Sequence, residues 1–378
     1  MIPILQTVPP HLVTLADHET HALGLLDANA RAYFSGGAGD EYTLRANQQA
    51  WNQISLRPRV LRSLVGGHTR INLLGRTLAH PILLAPVAFQ RLAHNDGELA
   101  SAYAAAMQGA GFILSTQASV ALEVIAQAIR DEPQRGPLWF QLYWQHDKTL
   151  TQQLVQRAEQ AGYEALVLTV DAASSGVRDR ERRAGFTLPD SVFAANLAGF
   201  PAPPPVILEP GQSALFDGLL RHAPTWDDIG WLQSITSLPI LLKGIMHEED
   251  ARLAQQHGVA GIIVSNHGGR TLDTVAATAT LLPQIRAAVG SDFIVLVDGG
   301  IRRGTDLLKA VALGADAVLL GRPAIYGLRN AGAIGVAHVL RLLRDELEVA
   351  MALCGCAVLA DVTSAVICAG RTEAPICS

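Results

Sequence analysis

The residues with the clearest chemical capacity lie in Ser265–Asp273, which reads SNHGGRTLD. His267 and Arg270 stand three residues apart, with Gly268 and Gly269 between them. Histidine is the usual proton-transfer group near neutral pH. Arginine is a permanent cation whose planar fork suits a carboxylate. Two glycines let the backbone turn sharply and let a flat ligand approach closely. The stretch can therefore hold a base and an anion clamp over one small space. On its own, HGGR also describes a glycine-rich surface loop, because short motifs match by chance. The elements around it decide between the two.

An apolar run, Gly261-Ile262-Ile263-Val264, precedes the motif and reads as a buried strand ending at Ser265. It is one of eight such runs: Ile82–Ala85, Phe112–Ser115, Leu138–Leu142, Ala165–Val170, Pro239–Lys243, Gly261–Ser265, Phe293–Val297 and Ala317–Gly321. Helix-length stretches lie between most of them, at Gly97–Gln108, Val120–Arg130, Leu150–Ala161, Glu248–His257, Leu281–Val289 and Thr305–Leu313. Alternating strands and helices mean β-α-β units and a parallel sheet. Eight units over about 250 residues predict a closed (β/α)8 TIM barrel. A doubly wound open sheet is the alternative, with five or six strands more usual. One domain spans 1–378, with the barrel over about 81–355. Before it, Ala22–Tyr33 reads as a helix stopped by Ser35-Gly36-Gly37, so the N-terminus is a helical extension. After it, Ala331–Leu353 reads as an amphipathic closing helix.

One interval breaks the rhythm. Asp171 to Leu238, after the fourth strand, is far longer than one helix needs. Within it Ser191–Leu220 is rich in Pro, Ala and Gly, with only Glu209 and Asp217 charged. Such a loop in a compact domain is a lid or a binding loop, expected here over about 185–225.

Active sites of this architecture form at the C-terminal ends of the strands. The strand positions alone nominate Val87 and Ala88, Ser115 and Gln117, Gln141 and Tyr143, Thr169 and Asp171 with Arg178 beyond, Lys243, His267 and Arg270, Asp298-Gly299-Gly300, and Gly321-Arg322. The set is polar and cationic. Glycines and arginines after strands seven and eight occupy the usual phosphate site of a barrel. Together they imply a phosphorylated cofactor and an acidic substrate.

Composition excludes other classes. The chain has 378 residues, 49% of them hydrophobic and 17% charged, which suits a globular protein with ample core. A net charge of -5 argues against a nucleic-acid binder. No apolar run approaches the roughly 18 residues of a membrane span. The N-terminal MIPILQTVPPHLVTLADHE lacks the marks of a signal peptide, so a cytoplasmic location is expected. Cys354, Cys356, Cys368 and Cys377 form no Cys-x-x-Cys pair and no histidine follows His338, so free thiols and no metal are expected.

At this point the sequence resembles the FMN-dependent 2-hydroxy acid oxidase and dehydrogenase family, from about Tyr33 to Gly355. The stretches that carry the resemblance are FSGGAGDEYTLRAN, LAPVAFQRLAHNDGE, WFQLYW, LTVDAASSGVRDRERRAGF, LPILLKGI, SNHGGRTLD and VDGGIRRGTDLLKAVALGADAVLLGRP. The resemblance implies that His267 is the base and that Asp171 orients and stabilises its protonated ring. Arg178 and Arg270 then face the substrate carboxylate, with Tyr33 and Tyr143 as hydroxyl donors. Lys243 lies at the flavin N1 and O2 edge, where reduction places negative charge. Val87, Ala88, Ser115, Gln141, Thr169 and Ser265 contact the flavin, and Asp298, Gly299, Gly300, Arg302, Gly321 and Arg322 hold the ribityl phosphate.

The sequence also departs from the family pattern. Thr271 stands in place of the usual Gln. Gln117 and Ser175 stand where glycolate oxidase-like members carry Trp and Leu. Ala172-Ala173 follow Asp171 in place of a proline. These changes bear on the substrate, not on the chemistry. The reading is oxidation of an L-2-hydroxy acid, mandelate-like, lactate or longer-chain, to the 2-oxo acid. Reduced FMN passes its electrons to oxygen or a quinone. No haem domain precedes the barrel, and Ala88 is shared with oxidase members, so oxygen is favoured. The family also implies a homotetramer, and membrane docking through the long loop is not expected. An isomerase working on reduced flavin would not need the His267, Arg270 and Arg178 set. A non-catalytic flavin scaffold would not need His267 or Asp171.

Overall fold

The computed structural model describes residues 7–368. Three helices, α1 (Leu15–Leu25), α2 (Ala28–Ser35) and α3 (Tyr42–Gln53), precede a hairpin of β1 (Ile71–Leu73) and β2 (Arg76–Leu78). Then come β3 (Ile82–Leu84), α4 (Glu98–Gln108), β4 (Gly111–Ser115), α5 (Leu122–Ile129), β5 (Leu138–Leu142), α6 (Lys148–Ala161) and β6 (Ala165–Thr169). After α7 (Asp179–Arg183) and α8 (Asp227–Ser234) follow β7 (Ile240–Ile245), α9 (Glu248–Gln256), β8 (Gly261–Val264), α10 (Thr278–Val289), β9 (Ile294–Val297), α11 (Gly304–Ala312), β10 (Ala317–Leu320) and α12 (Arg322–Cys354). Strands β3 to β10 close into a parallel barrel in chain order, with β10 pairing back on β3. The (β/α)8 expectation holds, and the open sheet does not.

Strand side chains alternate between two faces. Leu83, Ile113, Trp139, Val167, Leu241, Ile263, Leu296 and Leu319 point inward and pack as one core inside the barrel. Ile82, Leu84, Phe112, Phe140, Leu166, Leu242 and Ile262 belong to the second core, beneath the helices. Leu73 and Leu78 of the hairpin join the inner core. Arg76 of the hairpin pairs at 2.6 Å with Glu164, the residue before β6. The hairpin therefore plugs the N-terminal mouth and leaves the opposite mouth open. Two positions on from each inward apolar residue stand Ala85, Ser115, Gln141, Thr169, Lys243, Ser265, Asp298 and Gly321. The inward face thus changes from apolar to polar at the open mouth.

Several boundaries differ from expectation. Ala22–Tyr33 is not one helix. The chain breaks at Leu26, which is extended, and Asp27 caps α2 by accepting from the Ala30 N–H at 2.7 Å. Asp is a strong N-cap, and this signal lies in the sequence. Helix α3 and the hairpin stand where no pattern was read. Helix α10 begins at Thr278 rather than Leu281. Within α12 the backbone is non-helical at Ala331 and Gly332, so a further helix from Arg322 precedes the break and the closing helix after it agrees with the expected Ala331–Leu353. The long interval contains α7, α8 and short turns, and residues 201–212 are all exposed.

Cys354 and Cys356 are buried free thiols and Cys368 is an exposed one. Cys377 lies outside the described residues. Among the described residues no cluster of His, Cys, Asp and Glu is arranged to hold a metal, and no helix is long and apolar enough to cross a membrane.

Candidate active site

The nominated residues converge on one cavity at the open mouth, with about 1080 Å³ of free space that opens to solvent. Tyr33, Val87, Ala88, Ser115, Gln117, Gln141, Tyr143, Thr169, Arg178, Lys243, His267, Arg270, Asp298, Gly299, Gly300, Arg302, Gly321 and Arg322 all line it. Two nominated residues do not. Asp171 stands behind His267, as an orienting carboxylate should. Ser265 lies in the same inward layer as Lys243 and Asp298, which do line the cavity, and is buried between them.

The top layer of the barrel holds two hydrogen-bonded groups, Ser115–Gln141–Thr169 and Lys243–Ser265–Asp298. Gln141 accepts from the Ser115 hydroxyl at 3.2 Å and donates to Thr169 at 3.0 Å. Lys243 Nζ donates to Ser265 at 2.9 Å and lies 3.3 Å from Asp298. The Ser265 hydroxyl donates to Asp298 at 2.7 Å. Burial works against the Lys243 charge, yet Asp298 and Asp171 outweigh it and raise its pKa. The ammonium is therefore fixed inside a nearly dry barrel.

His267 has a left-handed backbone, φ 56°, as do Gly268 and Gly269 after it. A Cβ on Gly269 would lie 2.7 Å from the Leu44 backbone nitrogen, so this turn needs glycine there. The His267 N–H donates to the Ser265 hydroxyl at 3.1 Å. Its Nδ1 is 3.0 Å from Asp171 Oδ1, which leaves Nε2 for the cavity. Burial, then the Lys243 charge, lowers the His267 pKa against the opposing pull of Asp171. Burial alone would raise Asp171, but the hydrogen bond and charge of His267, then Lys243, hold it down. Asp171 Oδ2 is buried with no hydrogen-bond partner among the described residues. The pair is a neutral imidazole oriented by a carboxylate, which is the arrangement of a general base.

The cationic side of the cavity is built from three elements. Arg270 donates to the Tyr33 and Gly36 carbonyls, and its guanidinium lies 4.9 Å from the centre of the Tyr33 ring. Arg178 Nε donates to the Arg270 carbonyl at 3.4 Å. Burial raises the pKa of Tyr33, and raises that of Tyr143 to about 12, so both phenols keep their protons. At the far end Arg322 donates to the carbonyls of Phe34, Gly268 and Gly36 at 3.0, 2.9 and 2.8 Å. Burial, then Arg270, lowers its pKa to about 10, which keeps it cationic at neutral pH. Helix α12 starts there with Gly321 as an N-cap that supplies no side-chain bond. Gly321 and Arg322 at this helix start line the cavity together with Arg302, and the two guanidinium groups make this end cationic, a fit for an anion.

A second, larger cavity adjoins the first, with about 2740 Å³ of free space, also open to solvent. The two share Gln117, Tyr143, Thr169, Arg178 and His267. Ala172, Ala173 and Ser175 line it together with Pro203–Ile207 and Trp226. Of the positions at which the sequence departs from the family pattern, Gln117, Ala172, Ala173 and Ser175 border this space beneath the long loop, and Thr271 does not.

Some residues of the site lie outside the strand-end pattern. Asn47 exchanges hydrogen bonds with Asn266 at 2.9 and 2.8 Å, and Trp51 donates to the Gly299 carbonyl at 2.8 Å. Both lie on α3, one turn apart, and tie the N-terminal extension to the loops after β8 and β9. Phe186 stacks on Tyr33 with ring centres 5.0 Å apart. The i, i+4 spacing of Asn47 and Trp51 was the available signal, and Phe186 had none.

Fold and site define a (β/α)8 barrel whose open mouth holds a hydrogen-bonded histidine–aspartate pair, a buried lysine and a cluster of arginines. A family model described as FMN-dependent dehydrogenase matches residues 22–369. The chain is 48% identical over 357 residues to an L-lactate oxidase of Alicycliphilus denitrificans, covering 94% of this chain and 96% of that protein. It is 41% identical to glycolate oxidase 1 of Zea mays, covering 93% and 94%. A crystal structure of mandelate oxidase with (S)-2-phenylpropionate superposes with a TM-score of 0.84 at 43% identity, covering 94% of this chain and 98% of that chain. The chain belongs to the FMN-dependent dehydrogenase family, and its cofactor is FMN. The residues present fit that group. A buried ammonium suits the anionic edge of a reduced flavin, and Arg302 and Arg322 at the far end of the cavity suit a phosphate.

Proposed function

We propose that the chain oxidises an L-2-hydroxy acid to the 2-oxo acid. The observation that carries this is the His267–Asp171 pair opening into the same cavity as Arg178 and Arg270. FMN, when bound, supplies the two-electron acceptor. Arg178 and Arg270 bind the substrate carboxylate, and Tyr33 and Tyr143 donate from their phenols. His267 Nε2 then takes a proton from the substrate. Asp171 holds the ring in place and offsets its new charge. Lys243 would hold the flavin ring and supply the cation that offsets its charge on reduction. Val87, Ala88, Ser115, Gln141, Thr169 and Ser265 would hold its ring, and Asp298, Gly299, Gly300, Arg302, Gly321 and Arg322 would hold its phosphate end. Oxygen is the favoured acceptor, supported by Ala88 and by relatives named as oxidases.

The substrate is a large 2-hydroxy acid, such as mandelate or a longer-chain acid. Gln117 and Ser175 are small or flexible where indole and isobutyl groups would fill space, and both border the larger cavity. Lactate is the second reading, favoured by relatives named L-lactate oxidase at 48% and 50% identity. The test is kcat/KM for glycolate, lactate, 2-hydroxyoctanoate and mandelate, in wild type and in Gln117→Trp. Mandelate or 2-hydroxyoctanoate should lead in wild type, and the Trp variant should shift preference to the smaller acids. A glycolate lead, or a ranking untouched by Gln117→Trp, overturns the large-substrate reading.

A further inference from the structure

The five-residue helix α7 reads DRERR, and from sequence it looks like a solvated surface of mixed charge. Four of its residues behave that way. Asp179 meets Arg182 and Arg183, whose side chains are 74% and 80% exposed. Arg180 pairs with Glu41 of the N-terminal extension. Glu181 differs. Its side chain is only 13% exposed, and it turns toward the arginine clamp. Its Oε1 lies 3.1 Å from Arg270 Nη2, and both of its oxygens lie 3.5 Å from Arg178 Nη1. Both arginines line the active cavity and Glu181 does not. The carboxylate therefore bridges the two guanidinium groups from behind, away from the space a ligand takes.

This bridge does two things. It fixes the orientation of both forks, so that their remaining N–H groups face the cavity. It also sets the local charge. Two cations and one carboxylate leave one net positive charge, which a single substrate carboxylate neutralises. In a largely desolvated site such a match discriminates between ligands of different charge.

We propose that Glu181 is a positioning residue that tunes the clamp to monocarboxylates and against dicarboxylates. The proposal rests on the reading of Arg178 and Arg270 as the carboxylate clamp. A substrate with one carboxylate completes the charge balance, whereas a second carboxylate leaves the clamp with an excess negative charge. Glu181→Gln keeps the shape and one acceptor oxygen but removes the charge. Glu181→Asp keeps the charge on a shorter stem.

The experiment titrates the oxidised, FMN-loaded full-length chain with propionate and with malonate, following the flavin absorbance. The two probes differ by one carboxylate, and neither is turned over. Glu181→Gln should shift the affinity ratio toward malonate by about tenfold, and Glu181→Asp should keep the wild-type ratio. If Glu181→Gln does not hold FMN, Glu181→Ser carries the same comparison. An unchanged ratio in the neutral variant, or equal weakening of both ligands, overturns the charge-tuning role. If neither probe perturbs the wild-type flavin, the clamp reading itself fails, which separates the two outcomes.

Discussion

Asp171 Oδ1 lies 3.0 Å from His267 Nδ1, although 96 residues separate them in the chain. The barrel brings them together because β6 and β8 flank β7, so the loops after them meet above Lys243. Gly244 permits this. It has φ 110°, and a Cβ there would lie 2.5 Å from the Asp171 Cβ.

His267→Ala should keep bound FMN and lose flavin reduction, by about 10²–10⁴ for the missing base. In wild type the His267 pKa is lowered by burial and by Lys243. The base is therefore neutral at pH 7, and the acid limb of the reduction rate should fall below the ordinary histidine value of 6.5. Stopped-flow reduction across pH checks both points. Near-normal reduction in the alanine variant would remove His267 from the chemistry.

Lys243→Met should weaken FMN binding and slow reduction, because the anionic reduced ring loses its counter-charge. Sulfite creates the same anion when it adds to the flavin, so its affinity should fall as well. Lys243 contacts Ser265 and Asp298, so the variant also leaves Asp298 without its ion pair. An unchanged sulfite affinity would separate Lys243 from the flavin edge.

Acid should destabilise the fold through histidines remote from the site. His18 and His80 are fully buried, and burial lowers each from 6.5 to about 4. The unfolded chain therefore binds more protons than the folded one between those values. Stability from these groups is complete above pH 6.5 and is lost as pH falls toward 4. His18 Nε2 faces His338 Nδ1 at 2.9 Å, a contact that holds one proton and not two. Thermal midpoints should drop between pH 7 and pH 5, and less so in His80→Gln. Midpoints that do not change with pH contradict this.

The long loop should be the first site of proteolysis. Residues 201–212 are all exposed, and Ile207 and Phe216 present 88% and 72% of their surface. Limited digestion should cut within about 185–225 and leave the barrel folded with its FMN. Excess 2-hydroxy acid should slow the cut, because the loop roofs the larger cavity. A first cut elsewhere, or tight and salt-resistant recovery with membranes, would contradict the lid reading.

Much of this was legible in the sequence because a parallel barrel repeats one pattern. Each buried strand reads as a short apolar run, and all eight lie within one or two residues of their observed bounds. The C-terminal strand ends then mark the mouth, which is how Gln141, Thr169 and Lys243 were found. What was missed depends on contacts distant in sequence. Glu181 sits in a charge-rich stretch and is distinguished only by the guanidinium groups it meets. Trp51 and Asn47 lie on a helix whose buried face points at loops more than 200 residues away. Asp27, by contrast, carried a cap signal that was available and was read through.

The most direct measurement of the central claim is anaerobic mixing of the FMN-loaded chain with (S)-lactate, (S)-2-hydroxyoctanoate or (S)-mandelate. At least one should bleach the flavin absorbance and yield one 2-oxo acid per flavin. The matching amide should not, because Arg178 and Arg270 need a carboxylate. A protein that holds FMN yet is bleached by none of the acids, or equally well by the amide, would contradict the account.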